Sequence, residues 1–225
     1  MKTLIQQVLL GQGHLAHRRE DYDTVFLKDI AIPSVKRYAE KYGYDYKLID
    51  GELTPSLLML PQNIIFDRMP MAFEKYMHLD TEYDNILLLD SDVFVAEYAP
   101  ALPITNGVFG SEPAWDIDRR LPNWKNRCIL FNAGFILFEK NVAKSFGTYV
   151  KTRVENWQSF EKFATGHYQD EEILSEFLDE HIHVPFEYIG NNWNYTGVGW
   201  HNHIPEKYIY HFAGPRKHSR YRRLS

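Results

Sequence analysis

Residues 86–92 constrain the fold of this chain more than any other stretch of its sequence. Four consecutive apolar residues, from Ile86 to Leu89, predict a buried strand, and Asp90 and Asp92 follow at its end. Because side chains two positions apart on an extended chain project to the same side, both carboxylates face one point. In α/β proteins ligands bind at this edge of the sheet, and carboxylate oxygens are ligands of hard cations. The other two D-x-D pairs lie in polar stretches that indicate loops: Asp21/Asp23 and Asp116/Asp118.

Length and composition indicate one soluble globular domain, residues 1–225. Apolar residues make up 44% of the chain and charged residues 24%, which is ordinary for a globular protein. A single cysteine, Cys128, excludes an intramolecular disulfide and predicts a reducing, cytoplasmic location. No apolar run approaches the roughly 18 residues of a transmembrane helix, and residues 1–10 are too polar for a signal peptide. The formal net charge of −5 argues against nucleic acid as a partner.

A cluster of basic residues at the C-terminus departs from this acidic balance. Residues 216–225 contain five of them: Arg216, Lys217, Arg220, Arg222 and Arg223. Such a tail binds phosphates or lies on an anionic membrane surface, and a solvated chain end is the alternative. We therefore expect a short basic C-terminal tail, with peripheral contact to a membrane surface as one interpretation of its charge.

Strands and helices alternate along the first half of the chain. Thr3–Leu10 and residues 45–49 are predicted strands, and Pro33 and Gly43 suit the start and the C-terminal cap of a helix between them. Apolar faces with helical spacing mark this helix and a later one: Val35, Tyr38, Ala39 and Tyr42, and then Met69, Phe73, Tyr76 and Met77. This order predicts an α/β fold with a mainly parallel central sheet flanked by helices.

Two segments of the second half carry residues suited to a binding site. Asn132-Ala133-Gly134 is a small-residue turn before an apolar strand, where a ligand can approach the backbone closely. An ordinary tight bend has the same pattern. Asp170 and Glu171 stand at the start of a predicted helix, where the helix dipole alone also favours acidic residues. Each segment by itself therefore leaves a structural and a functional interpretation open.

A third segment ends a predicted strand with a histidine. His211 ends a predicted strand that begins at Tyr208, and Lys217 follows Gly214 by three positions. A histidine at the end of a strand suits a metal site, and a lysine just beyond a Gly-Pro loop suits a phosphate. Both residues are therefore candidates for the same binding site as the D-x-D pair.

Taken in order, these motifs resemble the GT-A glycosyltransferases, most closely the retaining glycosyltransferase family 8 of glycogenin-like and lipopolysaccharide galactosyltransferase-like proteins. That family has a basic residue on a helix, a D-x-D strand end, an N-A-G turn, an acidic helix start and an H-x-x-G-x-x-K motif. The matching positions are Arg68, Asp90-Ser91-Asp92, Asn132-Ala133-Gly134, Asp170-Glu171 and His211-x-x-Gly214-x-x-Lys217. The last motif is the most specific match, because three chemically distinct residues agree in type and spacing.

The resemblance implies a GT-A fold and transfer of a hexose from a nucleotide-sugar donor, expected to be a UDP-sugar, to a glycan or other hydroxyl acceptor. Asp90, Asp92 and His211 would hold Mn²⁺, with Mg²⁺ as the alternative, since oxygen ligands with one imidazole suit Mn²⁺. Seven residues would contact the donor: Arg68, Ser91, Asn132, Ala133, Gly134, Gly214 and Lys217.

The same resemblance implies that Asp170 and Glu171 are catalytic. A carboxylate of Glu171 facing the anomeric carbon permits a covalent glycosyl-enzyme, whereas the route more commonly proposed for the family is front-face displacement. The register is open, because either Gln169 or Glu171 aligns with the family's glutamine. Trp193-Asn194 resembles a late W-N segment near the acceptor, with a packed tryptophan as the alternative.

Two features of the chain leave other functions open. Residues 11–14 replace the base-contacting residues of the family, so the nucleotide is not defined. A haloacid-dehalogenase-like phosphatase would also use Asp90 and Asp92, although its motif normally lies near the N-terminus and needs a later acidic pair. A sugar nucleotidyltransferase or a non-catalytic sugar-binding module would share the fold. The products would separate these classes: inorganic phosphate, pyrophosphate or none.

Overall fold

The computed structural model describes residues 1–10, 25–51, 54–58, 69–79, 82–111, 132–156, 169–196 and 205–212. Within these ranges the chain forms eight strands: Thr3–Leu10 (β1), Asp45–Gly51 (β2), Asn85–Leu89 (β3), Val93–Val95 (β4), Val108–Ser111 (β5), Asn132–Glu139 (β6), Phe186–Tyr188 (β7) and Ile209–His211 (β8). Six of them form a central sheet in the order β2-β1-β3-β6-β5-β7. The other two, β4 and β8, pair with each other.

The central sheet is mainly parallel, as the sequence predicts. β1 runs parallel to both β2 and β3, and β7 runs parallel to β5. β6 lies antiparallel to its two neighbours, β3 and β5, so the other five strands of this sheet share one direction. The carboxyl ends of β1, β2 and β3 therefore meet at one edge, which is the edge that Asp90 follows.

In the described part of the chain, five α-helices flank the strands: Ile32–Tyr42 (α1), Pro55–Leu58 (α2), Met69–Met77 (α3), Lys140–Glu155 (α4) and Gln169–Glu180 (α5). A π-helical segment, Phe26–Ala31, leads directly into α1. The predicted ends of α1 are confirmed: Pro33 lies in its first turn, and Gly43 takes the left-handed conformation with φ of 68°. Within the described ranges, no helix combines the length and apolar character needed to cross a membrane.

The two faces of β3 belong to two different core clusters. Ile86 and Leu88 pack in one cluster with side chains of α3, α4 and α5. Leu87 and Leu89 pack in the other with side chains of α1. A strand that is covered on both faces buries every residue, which explains why its sequence is continuously apolar rather than alternating. This packing holds the end of β3, and thus the residues that follow it, in a fixed position.

Candidate active site

Asp90, Asp92 and His211 come together where β3 ends. Asp90 directly follows β3, Asp92 directly precedes β4, and His211 is the last residue of β8. The antiparallel pairing of β4 with β8 places His211 opposite Val93. His211 Nε2 lies 3.3 Å from Asp92 Oδ1 and 3.5 Å from Asp90 Oδ2. One ligand atom from each of the three residues lies within 4.8 Å of the others, so the structure forms the cluster that the sequence predicts.

The imidazole ring of His211 packs directly on the backbone of Gly134 in β6. A Cβ atom at position 134 would overlap Cε1 and Nδ1 of His211, so a side chain there would displace the ring. The carbonyl oxygen of Gly134 also accepts a hydrogen bond from the backbone N–H of Asp90, at 3.2 Å. The close approach to the backbone that the sequence predicts at Gly134 is thus made by a side chain of the protein itself, and the glycine shapes the candidate metal-binding cluster.

The cluster attracts positive charge. Burial by itself lowers the pKa of His211, but the neighbouring carboxylates of Asp92 and Asp90 outweigh it and hold this pKa above its ordinary value. Burial raises the pKa of Asp90, with Lys75 and His211 opposing that shift. A divalent cation would meet the same demand for positive charge. Two carboxylate oxygens and one imidazole nitrogen are a donor set that suits Mn²⁺, so these residues fit the predicted cation.

Lys75 is the basic residue that the structure adds to this site. It lies on α3 with its side chain 8% exposed, and its ammonium contacts three oxygens. These are Asp90 Oδ1 at 3.0 Å, Asp170 Oδ2 at 2.8 Å and the Ala133 carbonyl at 3.1 Å. Although burial lowers the pKa of Lys75, the two carboxylates outweigh it and hold this pKa well above its ordinary value. Lys75 therefore stays charged and joins three separate elements.

Sequence reasoning missed Lys75 and selected Arg68 as the basic residue of this segment. Arg68 lies outside the described residues, so its predicted contact with the donor stays a prediction. The signal that could have found Lys75 is its position between the apolar helical residues Phe73 and Tyr76, which are fully buried. A charged residue next to a buried helical face needs a partner of opposite charge, and the structure supplies two of them, the carboxylates of Asp170 and Asp90.

Glu171 anchors the Asn132-Ala133-Gly134 segment, which the structure places in the first part of β6 and not in the predicted turn. Its Oε1 accepts hydrogen bonds from Asn132 Nδ2 and from the backbone N–H of Ala133, both at 3.0 Å. Burial raises the pKa of Glu171 well above its ordinary value, and the nearby carboxylate of Asp170 adds to the effect. The backbone carbonyl of Asp170 accepts a hydrogen bond from the Tyr76 hydroxyl at 3.1 Å. Both acidic residues at the start of α5 therefore face the site.

Asn194 continues the hydrogen bonds from Glu171 and Asn132 in the direction away from Asp90, Asp92 and His211. Its Nδ2 donates to Asn132 Oδ1 and to Ser111 Oγ, both at 2.7 Å. Trp193 is 8% exposed and packs against the rings of Phe135 and Tyr208. The tryptophan is thus a packed residue, which was the structural alternative, whereas the asparagine reaches the start of β6, where the predicted donor contacts lie.

The remaining predicted site residues divide into two groups. Ser91 lies half-buried in the turn between Asp90 and Asp92. Gly214, Lys217 and the basic tail over residues 216–225 lie outside the described residues, and so do residues 11–14. Their assigned contacts with phosphate, base or membrane therefore stay predictions.

Solved structures share the fold of this chain, whereas no family model and no curated protein matches its sequence. A glycosyltransferase involved in the glycosylation of the major capsid of PBCV-1 aligns over 98% of this chain and 97% of its own. Its TM-score is 0.58 at 13% identity. The galactosyltransferase LgtC, solved with donor and acceptor sugar analogues, aligns over 94% of this chain and 87% of its own, with a TM-score of 0.59 at 14% identity.

A third similar structure is the glycosyltransferase GlyE of Streptococcus pneumoniae TIGR4. It aligns over 99% of this chain and 60% of its own, with a TM-score of 0.55 at 15% identity. All three proteins are glycosyltransferases, and this chain shares their fold. The fold predicted from the motif order is therefore confirmed: this chain has the GT-A fold.

Proposed function

We propose that this chain is a metal-dependent glycosyltransferase that moves a hexose from a nucleotide-sugar donor to a glycan or other hydroxyl acceptor. The observation that carries the proposal is the cluster of Asp90, Asp92 and His211 at the end of β3 in a GT-A fold. Ligands of α/β proteins bind at this edge of the sheet. A UDP-sugar as donor and retention of anomeric configuration are proposed because the order of motifs resembles the retaining family 8.

The metal site in this proposal consists of Asp90, Asp92 and His211, with Mn²⁺ as the cation and Mg²⁺ as the alternative. Asp90 Oδ2 is the oxygen directed at the cluster, because Oδ1 contacts the Lys75 ammonium. When bound, the cation would neutralise negative charge that develops on the leaving nucleoside diphosphate. Lys217 would add a second positive charge beside the same phosphates.

The donor sugar is assigned to the side of the site formed by α5 and the start of β6. Asp170 and Asn132 offer a carboxylate and an amide, and Lys75 holds the carboxylate in place. Sugar hydroxyls both donate and accept hydrogen bonds, which such a mixed set can satisfy. The other donor contacts are proposed from the motif resemblance alone: Arg68, Ser91, Ala133, Gly134 and Gly214.

Front-face displacement is the retaining route that we propose, with the leaving phosphate helping to deprotonate the acceptor hydroxyl. A nucleophilic Glu171 would need an ionised and free carboxylate. Instead, burial raises the pKa of Glu171, and its Oε1 already accepts two hydrogen bonds. We therefore assign Glu171 to holding the start of β6 at Asn132 and Ala133, and Asp170 to the reacting face of the sugar.

The acceptor and the location are proposed on less specific grounds. LgtC was solved with donor and acceptor sugar analogues, and a glycan is the corresponding acceptor proposed here. A cytoplasmic location is proposed because the single Cys128 fits a reducing compartment.

Release of nucleoside diphosphate from a panel of nucleotide sugars, with Mn²⁺ and with EDTA, tests the proposal. We expect Mn²⁺-dependent release from one donor, and loss of that release in Asp92→Ala. The matched control is Asp179→Asn, which changes an exposed acid near the other end of α5 and should keep the activity. Unchanged metal-dependent turnover in Asp92→Ala would contradict the assignment. Release of inorganic phosphate or pyrophosphate instead would indicate a phosphatase or a nucleotidyltransferase.

A further inference from the structure

Two consecutive glutamines lie buried in β1, a strand inside the central sheet. Gln6 is 1% exposed and Gln7 is 0% exposed. Burying an amide costs free energy unless its polar atoms form hydrogen bonds, and an apolar residue would fill either position without that cost. Neighbouring residues on a strand point to opposite faces of the sheet. The two side chains therefore reach different partners.

Gln7 binds the backbone of the first metal-site carboxylate. Its Nε2 donates to the carbonyl oxygen of Asp90 at 2.9 Å, and its Oε1 accepts a hydrogen bond from the Tyr46 hydroxyl at 2.9 Å. A carbonyl oxygen accepts but never donates, so this contact fixes which end of the amide faces Asp90. Tyr46 on β2 then satisfies the other end. Asp90 is linked through Gln7 to the adjacent strand and the one beyond it.

The hydrogen bond from Gln7 to Asp90 lies where the backbone pairing of β1 with β3 ends. The pairing of β1 with β3 extends to Gln7 and Leu89, whereas the pairing of β1 with β2 continues to Leu10 and Gly51. Asp90 is thus the first residue of the chain past the paired part of β3. On its other side, its N–H donates to the Gly134 carbonyl at 3.2 Å. Gln7 and Gly134 hold the two backbone polar groups of Asp90 from opposite sides.

We propose that Gln7, supported by Tyr46, is a positioning residue that fixes the backbone of Asp90 and thereby raises the affinity of the cluster for its divalent cation. The inference rests on the proposed function, because it assigns the role through the metal site. Residues that contact a metal ligand without contacting the metal itself influence the affinity for the metal, because a ligand that is free to move must be ordered when the ion binds. Gln7 does this through the main chain of the ligand rather than through its carboxylate.

Gln6 provides a matched control in the same strand. Its Nε2 donates to the carbonyl oxygen of Lys75 at 2.8 Å, in the last turn of α3, where helix carbonyls lack intrahelical partners. Its buried Oε1 has no partner among the described residues. Gln6 therefore caps a helix and contacts none of the three proposed ligands, although it has the same side chain and the same burial as Gln7.

The experiment measures the affinity of the full-length chain for Mn²⁺ alone, from the paramagnetic resonance signal of the free ion. We expect Gln7→Met to weaken binding about tenfold, the lower end of what outer contacts to metal ligands cost. Tyr46→Phe should weaken it roughly threefold, as one neutral hydrogen bond is lost. Gln6→Met should change it less than about twofold, because Gln6 contacts no ligand. Unfolding by urea, measured in parallel, reports stability separately from affinity.

Each result has one meaning. Equal Mn²⁺ affinity in wild type and Gln7→Met, or equal losses in Gln6→Met and Gln7→Met, would overturn the positioning role while leaving the metal site intact. If Gln7→Met does not fold, the Mn²⁺ affinity of Tyr46→Phe tests the proposal instead, because the half-buried ring keeps its place without its hydroxyl. Unchanged Mn²⁺ affinity in Tyr46→Phe would then overturn the positioning role of Gln7. A wild-type chain that binds no Mn²⁺ would overturn the proposed function and this role with it.

Discussion

The ammonium of Lys75 lies 2.8 Å from the carboxylate of Asp170, and this ion pair joins α3 to the start of α5. The same ammonium lies 3.0 Å from Asp90 Oδ1. One buried cation thus balances two carboxylates that come from parts of the chain far apart in sequence. The two carboxylate oxygens of Asp90 therefore have different partners: Oδ1 faces Lys75 and Oδ2 faces His211.

Removing this cation should destabilise the protein. Lys75→Met leaves two carboxylates without their shared partner, and we expect a loss of about 2–4 kcal/mol in unfolding free energy, below the upper end for buried pairs because Asp90 is partly exposed. Urea unfolding measures this loss. Because a bound divalent cation would compensate Asp90, added Mn²⁺ should stabilise Lys75→Met more than it stabilises the wild type.

Lys41→Met is the matched control for that variant. Its ammonium donates to the backbone carbonyls of Glu97 and Ala99 and lies over the Tyr42 ring, 5.0 Å from the ring centroid. We expect its loss of stability to stay within about 1.5 kcal/mol, as for an ordinary hydrogen bond. Equal losses in the two lysine variants would contradict the role of Lys75 as the shared counter-ion.

A methyl group at position 134 should disrupt the candidate metal-binding cluster of Asp90, Asp92 and His211. In Gly134→Ala the new Cβ would overlap the ring of His211, so the imidazole must shift from its present position beside Asp92. Overpacking of this kind costs roughly 1–3 kcal/mol, and calorimetric titration with Mn²⁺ should show a clear loss of affinity. Gly147→Ala on α4 is the control, since its Cβ would press on Leu79 in the core. Similar Mn²⁺ affinity in both variants would argue against the packing role of Gly134.

The two retaining routes predict different results for Glu171→Gln. The amide oxygen of glutamine can accept the same two hydrogen bonds from Asn132 and Ala133. Under front-face displacement we therefore expect transfer activity to fall by no more than about tenfold, the effect of one altered neutral contact. A nucleophilic Glu171 would instead lose transfer almost completely in this variant, and rapid-quench mass spectrometry of the wild type would detect a glycosylated peptide. Either of those results would restore the covalent route.

The stability of the protein should fall at acidic pH because Glu74 becomes protonated. Burial alone raises the pKa of this carboxyl, but hydrogen bonds from His78 and Thr54 outweigh it and hold the pKa below its ordinary value. A carboxyl whose pKa is lower in the folded state stabilises the fold above its unfolded pKa and loses that contribution as the pH falls through its folded pKa. The sign is therefore destabilisation on acidification.

Glu74→Gln isolates this contribution. The difference in unfolding free energy between wild type and Glu74→Gln should be largest at neutral pH and shrink below the ordinary glutamate pKa. Urea unfolding at a series of pH values measures it, and Glu97→Gln, an exposed site, serves as the control. A difference that stays constant with pH would show that the contacts of Glu74 do not depend on its charge.

Local pattern was sufficient for most of the secondary structure. The apolar run before Asp90 became β3, the Pro33 and Gly43 signals bounded α1, and the face with Phe73 and Tyr76 became buried in α3. These features depend on periodicity and on backbone preferences of residues close in sequence. The antiparallel insertion of β6 between β3 and β5 had no such local signal, because strand direction depends on how the connections cross the sheet.

The sequence by itself determined the fold class and the residue types of the candidate metal-binding cluster. The order of strands, helices and motifs predicted the fold, and strand periodicity placed Asp90 and Asp92 at one sheet edge. Tertiary structure decided which groups surround them. Lys75, Gln7 and Gly134 reach the cluster from three different elements. Local patterns state that a residue is buried, but its partner depends on how distant elements pack. Only the folded chain therefore shows that Lys75 is the counter-ion of Asp90 and Asp170 and that the His211 ring packs on Gly134.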